Sequence, residues 1–223
     1  MPFDPFGDHD TRGYLRNFAG EKDPARIKRI EHHAFAANVL TALIALHRLP
    51  AIDYTAVLNT HRILFGSVYP WAGQDRLTTA PDIAIAKGGH ADLFAHPRDS
   101  RRAADYALSM ANDPAKMRMR PGEIFGALAH SHPFLDGNGR TLLTVHADLT
   151  RRAGFHIEWQ NIDKASFLTA LTEELREPGQ AMDRLLAGHF RPGMMPLSQT
   201  VERLTSNPGL TTTKPLPNSG PGF

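Results

Sequence analysis

The sequence has 223 residues, with 25 lysines and arginines against 23 aspartates and glutamates, and it contains no cysteine. Without cysteine the chain forms no disulfide and no thiolate metal site, and a formal net charge of +2 does not indicate a nucleic-acid-binding protein. No run of about 18 apolar residues is present, so no membrane span is predicted, and the acidic, proline-containing N-terminus lacks the features of a signal peptide.

The first half of the chain predicts two long helices. The segment 23–46 opens with Asp23 as an N-cap and Pro24 at the first helical position, and its apolar residues recur every three or four positions. The segment 53–66 has the same periodicity and ends at a glycine. Residues 1–12, which precede these patterns, are expected to form a flexible lead.

The pattern is not helical between residues 67 and 89. Glycines and Pro81 interrupt it, and the stretch "DIAIAK" alternates in hydrophobicity with the period of a strand. We therefore predict a small β-hairpin, or flap, around Thr78 to Gly88.

Helical patterns return after the hairpin and continue to residue 190; they cover residues 96–113, 120–132, 141–154, 163–179 and 180–190. Beyond Pro192 the chain is rich in proline, glycine, serine and threonine, so residues 192–223 are predicted to be disordered. The predicted fold is therefore mostly α, with one small hairpin, in a catalytic domain over residues 13–191.

A group of polar residues lies between two of the helices, in "HSHPFLDGNGR" at residues 130–140. Its glycines let the backbone approach a ligand, and the helix that starts there presents amides that attract an anion. Arg140 adds a guanidinium suited to phosphate oxygens. Asp136 is a hard oxygen ligand for Mg²⁺, and His132 can accept a proton near neutral pH. The group predicts phosphoryl or nucleotidyl transfer, although it is not a Walker phosphate-binding loop.

The segment His132 to Arg140, "HPFLDGNGR", resembles the signature of the Fic (Fic/Doc) family, His-x-Phe-x-Asp/Glu-Gly-Asn-Gly-Arg-x-x-Arg. Its flanks are similar as well: "LFGSVYPWAGQDR" resembles the segment that leads into the family's flap, and "KGGHADLFAHP" resembles the return. The resemblance extends over about residues 14–190 and implies a Fic-type helical domain of the AMP-transferring branch.

That resemblance implies a protein adenylyltransferase, which moves AMP from ATP to a serine, threonine or tyrosine hydroxyl of a target protein. In this reading His132 is the general base, and Asp136 holds Mg²⁺ across the α- and β-phosphates. The loop and the donor are held by Phe134, Gly137, Asn138, Gly139 and Arg140. The target would add a strand to the flap through Thr78, Thr79, Ile83, Ile85, Lys87 and Gly88.

One position departs from the family signature. Its second arginine, which normally helps to hold the γ-phosphate, is replaced by Leu143. Two alternatives therefore stay open: transfer of a different nucleotidyl or phosphate-linked group, and a pseudoenzyme that binds nucleotide without turnover. The kinase activity of the related Doc branch is disfavoured, because its members have lysine at the position of Gly139.

The resemblance also implies an inhibitory sequence element, which this chain matches only loosely. The family's inhibitory element reads Ser/Thr-x-x-x-Glu-Gly/Asn. The segment "SQTVER", Ser198 to Arg203, matches this pattern loosely, and the favoured interpretation of the segment is a turn of a surface helix. A separate antitoxin-like inhibitor is the alternative partner. We expect a cytoplasmic enzyme, or an effector exported to a host cell, with neither a nucleic-acid partner nor a membrane span.

Overall fold

The computed structural model describes residues 15–82 and 93–206, and the chain is mostly α-helical there, as predicted. The first elements are α1 (Pro24–His47), α2 (Tyr54–Phe65), α3 (Arg76–Thr79), α4 (Pro97–Ala111) and α5 (Pro114–Met119). They are followed by α6 (Pro121–Ser131), α7 (Asn138–Arg152), β1 (Phe155–Ile157), a 3₁₀ turn (Trp159–Asn161), α8 (Lys164–Arg176), α9 (Ala181–Ala187), β2 (Phe190–Pro192) and α10 (Leu197–Thr205). Within the described ranges, no helix is both long and apolar enough to cross a membrane.

Aspartate caps decide where several helices begin. The carboxylates of Asp23 and Asp53 accept hydrogen bonds from backbone N–H groups in the first turns of α1 and α2, and Asp163 does the same for α8. These bonds satisfy amides that have no acceptor inside the helix. The predicted helix starts at Asp23 and Asp53 are thus confirmed.

Helix α7 lies at the centre of the packing. It contacts α1, α2 and α6, and α6 in turn packs closely against α4. Most of its 15 residues are buried, so it is enclosed on nearly every side, and the buried residues include polar ones such as Thr144, His146 and Asp148. The core that surrounds it includes Val39, Leu43, Leu64, Leu128 and Val145, none of which is exposed. Because α7 is held on all sides, the loop that precedes it is fixed with respect to the whole domain.

A two-stranded antiparallel sheet that the sequence did not predict closes the C-terminal part of the domain. β1 pairs with β2, with Phe155 opposite Pro192 and Ile157 opposite Phe190. The rings of Phe155 and Phe190 stack with their centroids 4.5 Å apart. The predicted helix over 180–190 is therefore too long, since α9 ends at Ala187. Strands of three residues are too short to show an alternating pattern in the sequence.

The prediction of a disordered tail from residue 192 is wrong for its first part. Helix α10 lies inside that segment and packs against α1 and the 3₁₀ turn. Thr200 and Leu204 provide the buried contacts, and a single buried leucine is easily overlooked in a segment rich in proline and threonine. The remaining tail from residue 207 lies outside the described residues, as does the predicted lead at residues 1–12.

The segment expected to open the flap is helical. Asp75 accepts hydrogen bonds from the amide and hydroxyl of Thr78, and Thr79 donates its hydroxyl to the Asp75 carbonyl. These bonds form α3, so the prediction that Thr78 and Thr79 lie on a strand is wrong. The rest of the predicted target-docking flap, namely Ile83, Ile85, Lys87 and Gly88, lies outside the described residues.

Candidate active site

The loop between α6 and α7 reverses the chain through two residues with left-handed backbone conformation. His132 ends α6 with φ 39° and ψ 60°, and Gly137 precedes α7 with φ 76°. Across residues 15–82 and 93–206, no other residue except glycine has a positive φ. Such a conformation costs about 1–3 kcal/mol and is maintained only by surrounding contacts. The contacts that hold His132 are therefore informative.

Asn138 joins the imidazole of His132 to the start of α7. Its side-chain nitrogen donates to the Phe134 carbonyl at 2.7 Å and lies 3.1 Å from His132 Nε2, while its side-chain oxygen accepts from the Phe134 amide at 2.9 Å. The amide nitrogen can only donate, so His132 Nε2 accepts and holds its lone pair toward α7. Both side chains are buried. The predicted general base and the predicted anion cradle therefore lie side by side.

Arg76 holds the backbone of the loop from the opposite side. Its guanidinium donates from Nε to the His132 carbonyl at 2.7 Å and from Nη2 to the Ala95 carbonyl at 2.6 Å. Its own backbone amide donates to the Pro133 carbonyl at 2.7 Å. The side chain is fully buried. Arg76 thus ties the strained turn at His132 to the segment that returns from the predicted flap.

His61 supports the other end of the loop. Its ring stacks on Phe134 with centroids 3.9 Å apart, and Nε2 lies 3.1 Å from the Asp136 carbonyl. The Gly73 amide donates to Nδ1 at 2.9 Å, so the ring proton is on Nε2 and is donated to Asp136. Burial lowers the pKa of His61 to about 3, which keeps the ring neutral. Phe134 is fully buried, as an anchor of the loop should be.

Gly137, Asn138, Gly139 and Arg140 form the start of α7. Helical geometry leaves the first-turn amides without acceptors inside the helix, and the helix dipole adds partial positive charge. A Cβ atom on Gly137 would lie 2.7 Å from the ring of Phe65, so the positive φ and the close packing both require glycine there. The predicted anion cradle is therefore a helix N-terminus, at which Gly139 is exposed while Gly137 and Asn138 are buried.

Asp136 stands beside this cradle. One of its carboxylate oxygens accepts from the Gly137 amide at 2.6 Å, and the residue is only partly buried. The described part of the chain contains no group of three or more histidine, aspartate or glutamate side chains able to hold a metal ion by themselves. Mg²⁺ commonly binds through one or two carboxylates together with substrate phosphates. A single carboxylate next to an anion cradle fits that mode.

Arg140 projects from the first turn of α7 into a polar network below the cradle. Its Nη2 forms an ion pair of 2.9 Å with Glu31 Oε2, and its guanidinium carbon lies 4.7 Å from the centre of the Phe65 ring. Its Nη1 is buried and has no hydrogen-bond partner among the described residues. Glu31 also accepts from the Tyr69 hydroxyl at 2.8 Å. A buried donor without an acceptor marks a place where an anion can bind.

An apolar cleft of about 530 Å³ opens next to these groups. His132, Asn138 and Gly139 line its polar end. Its apolar wall comes from α6, α7 and α8, and includes Phe125, Leu142, Phe167, Leu171 and Leu175. An apolar cleft with a few convergent polar groups is the usual form of a small-molecule site.

The structure also locates the positions that bear on regulation. Leu143, at the position of the family's second arginine, is buried in the core with 4% of its surface exposed. The segment Ser198 to Arg203 lies in α10, where Glu202 is exposed and Arg203 pairs with Glu158 at 3.3 Å. The interpretation of this segment as a surface helix agrees with that geometry.

Three residues of the site were not identified from the sequence. Glu31, His61 and Arg76 are buried polar residues. Each lies far from the motif along the chain. The only signal for Glu31 and His61 in the sequence is a polar side chain at a position where the helical pattern calls for an apolar one, and Arg76 lies in a segment without a helical pattern and has no such signal.

Comparison with known proteins agrees with the site. A model of the Fic/DOC family matches residues 51–149, which include α2 to most of α7. Over 191 residues the chain is 32% identical to "Protein adenylyltransferase VbhT" of Bartonella schoenbuchensis, a match that covers 82% of this chain but 38% of that protein. Over 166 residues it is 28% identical to "Probable protein adenylyltransferase y4lH" of Sinorhizobium fredii, covering 70% and 81% respectively.

The fold is similar to that of solved structures as well. The BepC protein of Bartonella tribocorum, a VirB-translocated effector, superimposes with a TM-score of 0.65 at 24% identity, covering 80% of this chain and 92% of that one. The sequence motif, the helical architecture and the family model all indicate the same family. The chain belongs to the Fic/DOC family.

Proposed function

We propose that the chain is a protein adenylyltransferase that transfers AMP from ATP to a hydroxyl side chain of a target protein. The observation that carries the proposal is the contact of 3.1 Å between His132 Nε2 and the Asn138 amide, because it sets a proton acceptor beside an anion-binding helix start. Two similar proteins bear the name protein adenylyltransferase or probable protein adenylyltransferase. The structure of BepC contains AMPPNP.

His132 supplies the base in this reaction. In the structure Nε2 accepts a hydrogen bond from Asn138, and a target hydroxyl would replace that donor. The hydroxyl oxygen then bonds to the α-phosphorus of ATP, its proton passes to the imidazole, and the bond to the leaving pyrophosphate breaks. The left-handed turn and the bond from Arg76 keep the imidazole in place, so catalysis depends chiefly on positioning.

The start of α7 binds the phosphates of the donor. The amides of Asn138 and Gly139 would stabilise the negative charge that develops on the transferred group, and the Gly137 amide, which donates to Asp136 in the structure, would join them by exchanging that acceptor for a phosphate oxygen. Arg140 contributes the buried Nη1 donor. Asp136 would hold Mg²⁺, which neutralises charge on the phosphates when it is bound. The apolar cleft beside His132 has the lining expected for a nucleotide base.

A second candidate is suggested by Leu143. A buried leucine cannot contact a γ-phosphate, so the donor could be another nucleoside triphosphate or a phosphate-linked compound with a different arrangement of charges. The same His132 and the same cradle would serve that reaction. This candidate differs from the first in the donor and not in the chemistry of the base.

The target protein would dock along residues 83–88, the part of the predicted flap that follows α3. We also propose that a separate protein inhibits the enzyme. The enzyme would act in a cytosol, either that of the producing cell or that of a host cell. The second location draws on the effector description of BepC. In either cytosol the enzyme would meet ATP, Mg²⁺ and protein targets.

A labelling experiment tests the proposal. The purified chain is incubated with Mg²⁺ and a cell lysate, in one arm with ATP labelled at the α-phosphate and in another with ATP labelled at the γ-phosphate. The proposal predicts a labelled protein band in the α arm only. Label in the γ arm only would show kinase activity and contradict it. Further arms with labelled UTP, GTP and CDP-choline separate the second candidate from the first.

A further inference from the structure

Glu31 is an acidic residue in the middle of α1, far from the motif in sequence, and only 2% of its surface is exposed. Both of its carboxylate oxygens have partners: Oε2 pairs with Arg140 Nη2 at 2.9 Å, and Oε1 accepts from the Tyr69 hydroxyl at 2.8 Å. The carboxylate is therefore fixed in orientation by two groups. It can hold the guanidinium of Arg140 in one place.

The guanidinium of Arg140 is held on more than one side. Its ion pair with Glu31 fixes Nη2, and its guanidinium carbon lies over the Phe65 ring, 4.7 Å from the ring centre. The same ring lies 2.7 Å from the position that a Cβ on Gly137 would occupy. Phe65 thus touches both the arginine and the phosphate-binding loop. The guanidinium is confined next to that loop, with Nη1 buried and without a partner among the described residues.

The energetics argue that this pair serves more than stability. Taking a carboxylate and a guanidinium out of water costs several kcal/mol per ion, and replacing such a pair with apolar residues is often neutral or stabilising. Burial raises the pKa of Glu31, the charge of Asp136 raises it further, and Arg140 opposes both effects. Glu31 is thus close enough to Asp136, the predicted metal ligand, for the two charges to interact. A costly pair at this place is best explained by what it positions.

We propose that Glu31 is a positioning residue for the donor: it holds Arg140 so that Nη1 is left to bind a phosphate oxygen. The proposal deepens the function proposed above and rests on it, in that the ligand of Arg140 is a nucleoside phosphate. Glu31 itself does not touch the donor. Its contribution is to hold the Arg140 side chain in place before the donor binds, so that less conformational entropy is lost on binding.

The test measures ATP binding in the presence of Mg²⁺ by calorimetry, without any requirement for transfer. The variants are Glu31→Ala, Arg140→Ala and the double variant. We expect each single variant to weaken ATP binding by about tenfold, and the double variant to be no weaker than Arg140→Ala alone, because coupled residues are not additive. Glu31→Gln, which keeps one acceptor oxygen for Arg140 and presents an NH2 group to the Tyr69 hydroxyl oxygen, is expected to retain more affinity than Glu31→Ala. The kcat at saturating ATP should change less than KM.

A matched control comes from the same helix as Arg140. Asp148 is another fully buried acid, paired with Arg151 at 2.8 Å and Arg152 at 2.6 Å, and it lies two turns farther along α7. Asp148→Asn removes a buried charge pair without touching the site, so ATP affinity should be unchanged. If Glu31→Ala does not fold, Tyr69→Phe keeps the ion pair and removes one constraint on Glu31. It should weaken ATP binding slightly, in the same direction.

Several results would overturn the proposal. Tighter ATP binding in Glu31→Ala would show that Glu31 competes with phosphate for Arg140 instead of positioning it. Additive losses in the double variant would show that Glu31 acts independently of Arg140, and unchanged affinity in both Glu31→Gln and Tyr69→Phe would also count against it. Failure of the unaltered chain to bind ATP would overturn it too. Normal binding and normal coupling without any protein labelling would instead overturn only the proposed transfer reaction.

Discussion

His132 is held in a left-handed conformation by residues that lie far from it in the chain. Arg76 binds its carbonyl oxygen, and Asn138 binds its Nε2 atom. Because β-carbon sterics disfavour this conformation for residues other than glycine, the backbone would relax if the contacts were removed. The imidazole would then move away from the start of α7. Arg76 and Asn138 thus hold the proposed base beside the proposed phosphate cradle.

Replacing Arg76 should therefore impair the chemical step more than donor binding. We expect Arg76→Met to lower kcat by about 100-fold, since small misplacements of reacting groups cost that much. ATP affinity should fall less than threefold, because the donor contacts α7 and Arg140 instead. Arg76→Lys should recover part of the rate. The measurements are steady-state labelling and calorimetry on folded protein, with unfolding curves to confirm folding.

The exposed Arg102 provides the control, since its side chain is 83% exposed and its one ion pair with a described residue is that with Asp99, one turn away on α4. Arg102→Met should leave both kcat and ATP affinity unchanged. Loss of ATP affinity in Arg76→Met with kcat preserved would contradict the role that we assign to Arg76.

The sequence identified the motif residues but not the residues that hold them. His132, Asp136 and the residues from Gly137 to Arg140 are contiguous, so their combination is visible as a pattern. Glu31, His61 and Arg76 lie far apart in the sequence and have polar as well as apolar neighbours, and only the packing of α1, α2 and α3 against the loop brings them to it. Side chains that meet through tertiary contacts leave no local pattern.

The long helices of the domain were predicted with starting points within one residue, except that α7 begins at Asn138 and not at residue 141, while the short elements were not predicted. Long helices carry repeated apolar positions and explicit caps, which make them recognisable. The strands β1 and β2 have three residues each and depend on pairing with each other. Helix α10 has a strong amphipathic pattern but is only nine residues long. Its stability comes from docking on α1, which is the helix that carries Glu31.

Removing the apolar anchor of α10 should therefore destabilise the domain. Leu204 is 1% exposed, and we expect Leu204→Ala to lower the free energy of unfolding by about 2–4 kcal/mol, as for other buried leucines. The exposed Glu202 on the same helix is the control, and Glu202→Ala should change stability by less than about 0.5 kcal/mol. Urea unfolding curves measure both. Equal stability of the two variants would show that α10 does not belong to the folded core.

On the scale of the whole molecule, the domain buries two histidines in neutral form. Burial lowers the pKa of His61 to about 3 and that of His146 to about 4. Both values lie below the usual value of about 6.5 that the unfolded chain retains. Between these values the unfolded state binds more protons than the folded state, so acid favours unfolding. The stability that these two histidines contribute is therefore fully present above about pH 6.5, and it is lost as the pH falls toward their pKa values in the folded state.

We predict that lowering the pH from 7 to 5 reduces the free energy of unfolding by about 2 kcal/mol for each of these histidines. Glu31 and Asp183, whose pKa values are raised by burial, oppose part of this loss. His146 lies away from the candidate site, with its Nε2 donating to the Pro121 carbonyl at 2.9 Å. His146→Asn should therefore flatten the dependence of stability on pH. Urea unfolding at pH 7, 6 and 5 tests this, and parallel dependences for the two proteins would contradict it.

The most direct test of the account is the behaviour of His132→Ala in two assays on the same preparation: binding of ATP with Mg²⁺ by calorimetry, and transfer of label from α-labelled ATP to protein. His33→Ala, at an exposed position on α1, is the control and should behave like the unaltered chain in both assays. We predict that His132→Ala binds ATP with an affinity within about threefold of the unaltered chain and transfers no detectable label, because only the base has been removed. Substantial transfer by His132→Ala would contradict the account, since the proton of the target hydroxyl would then leave by another route.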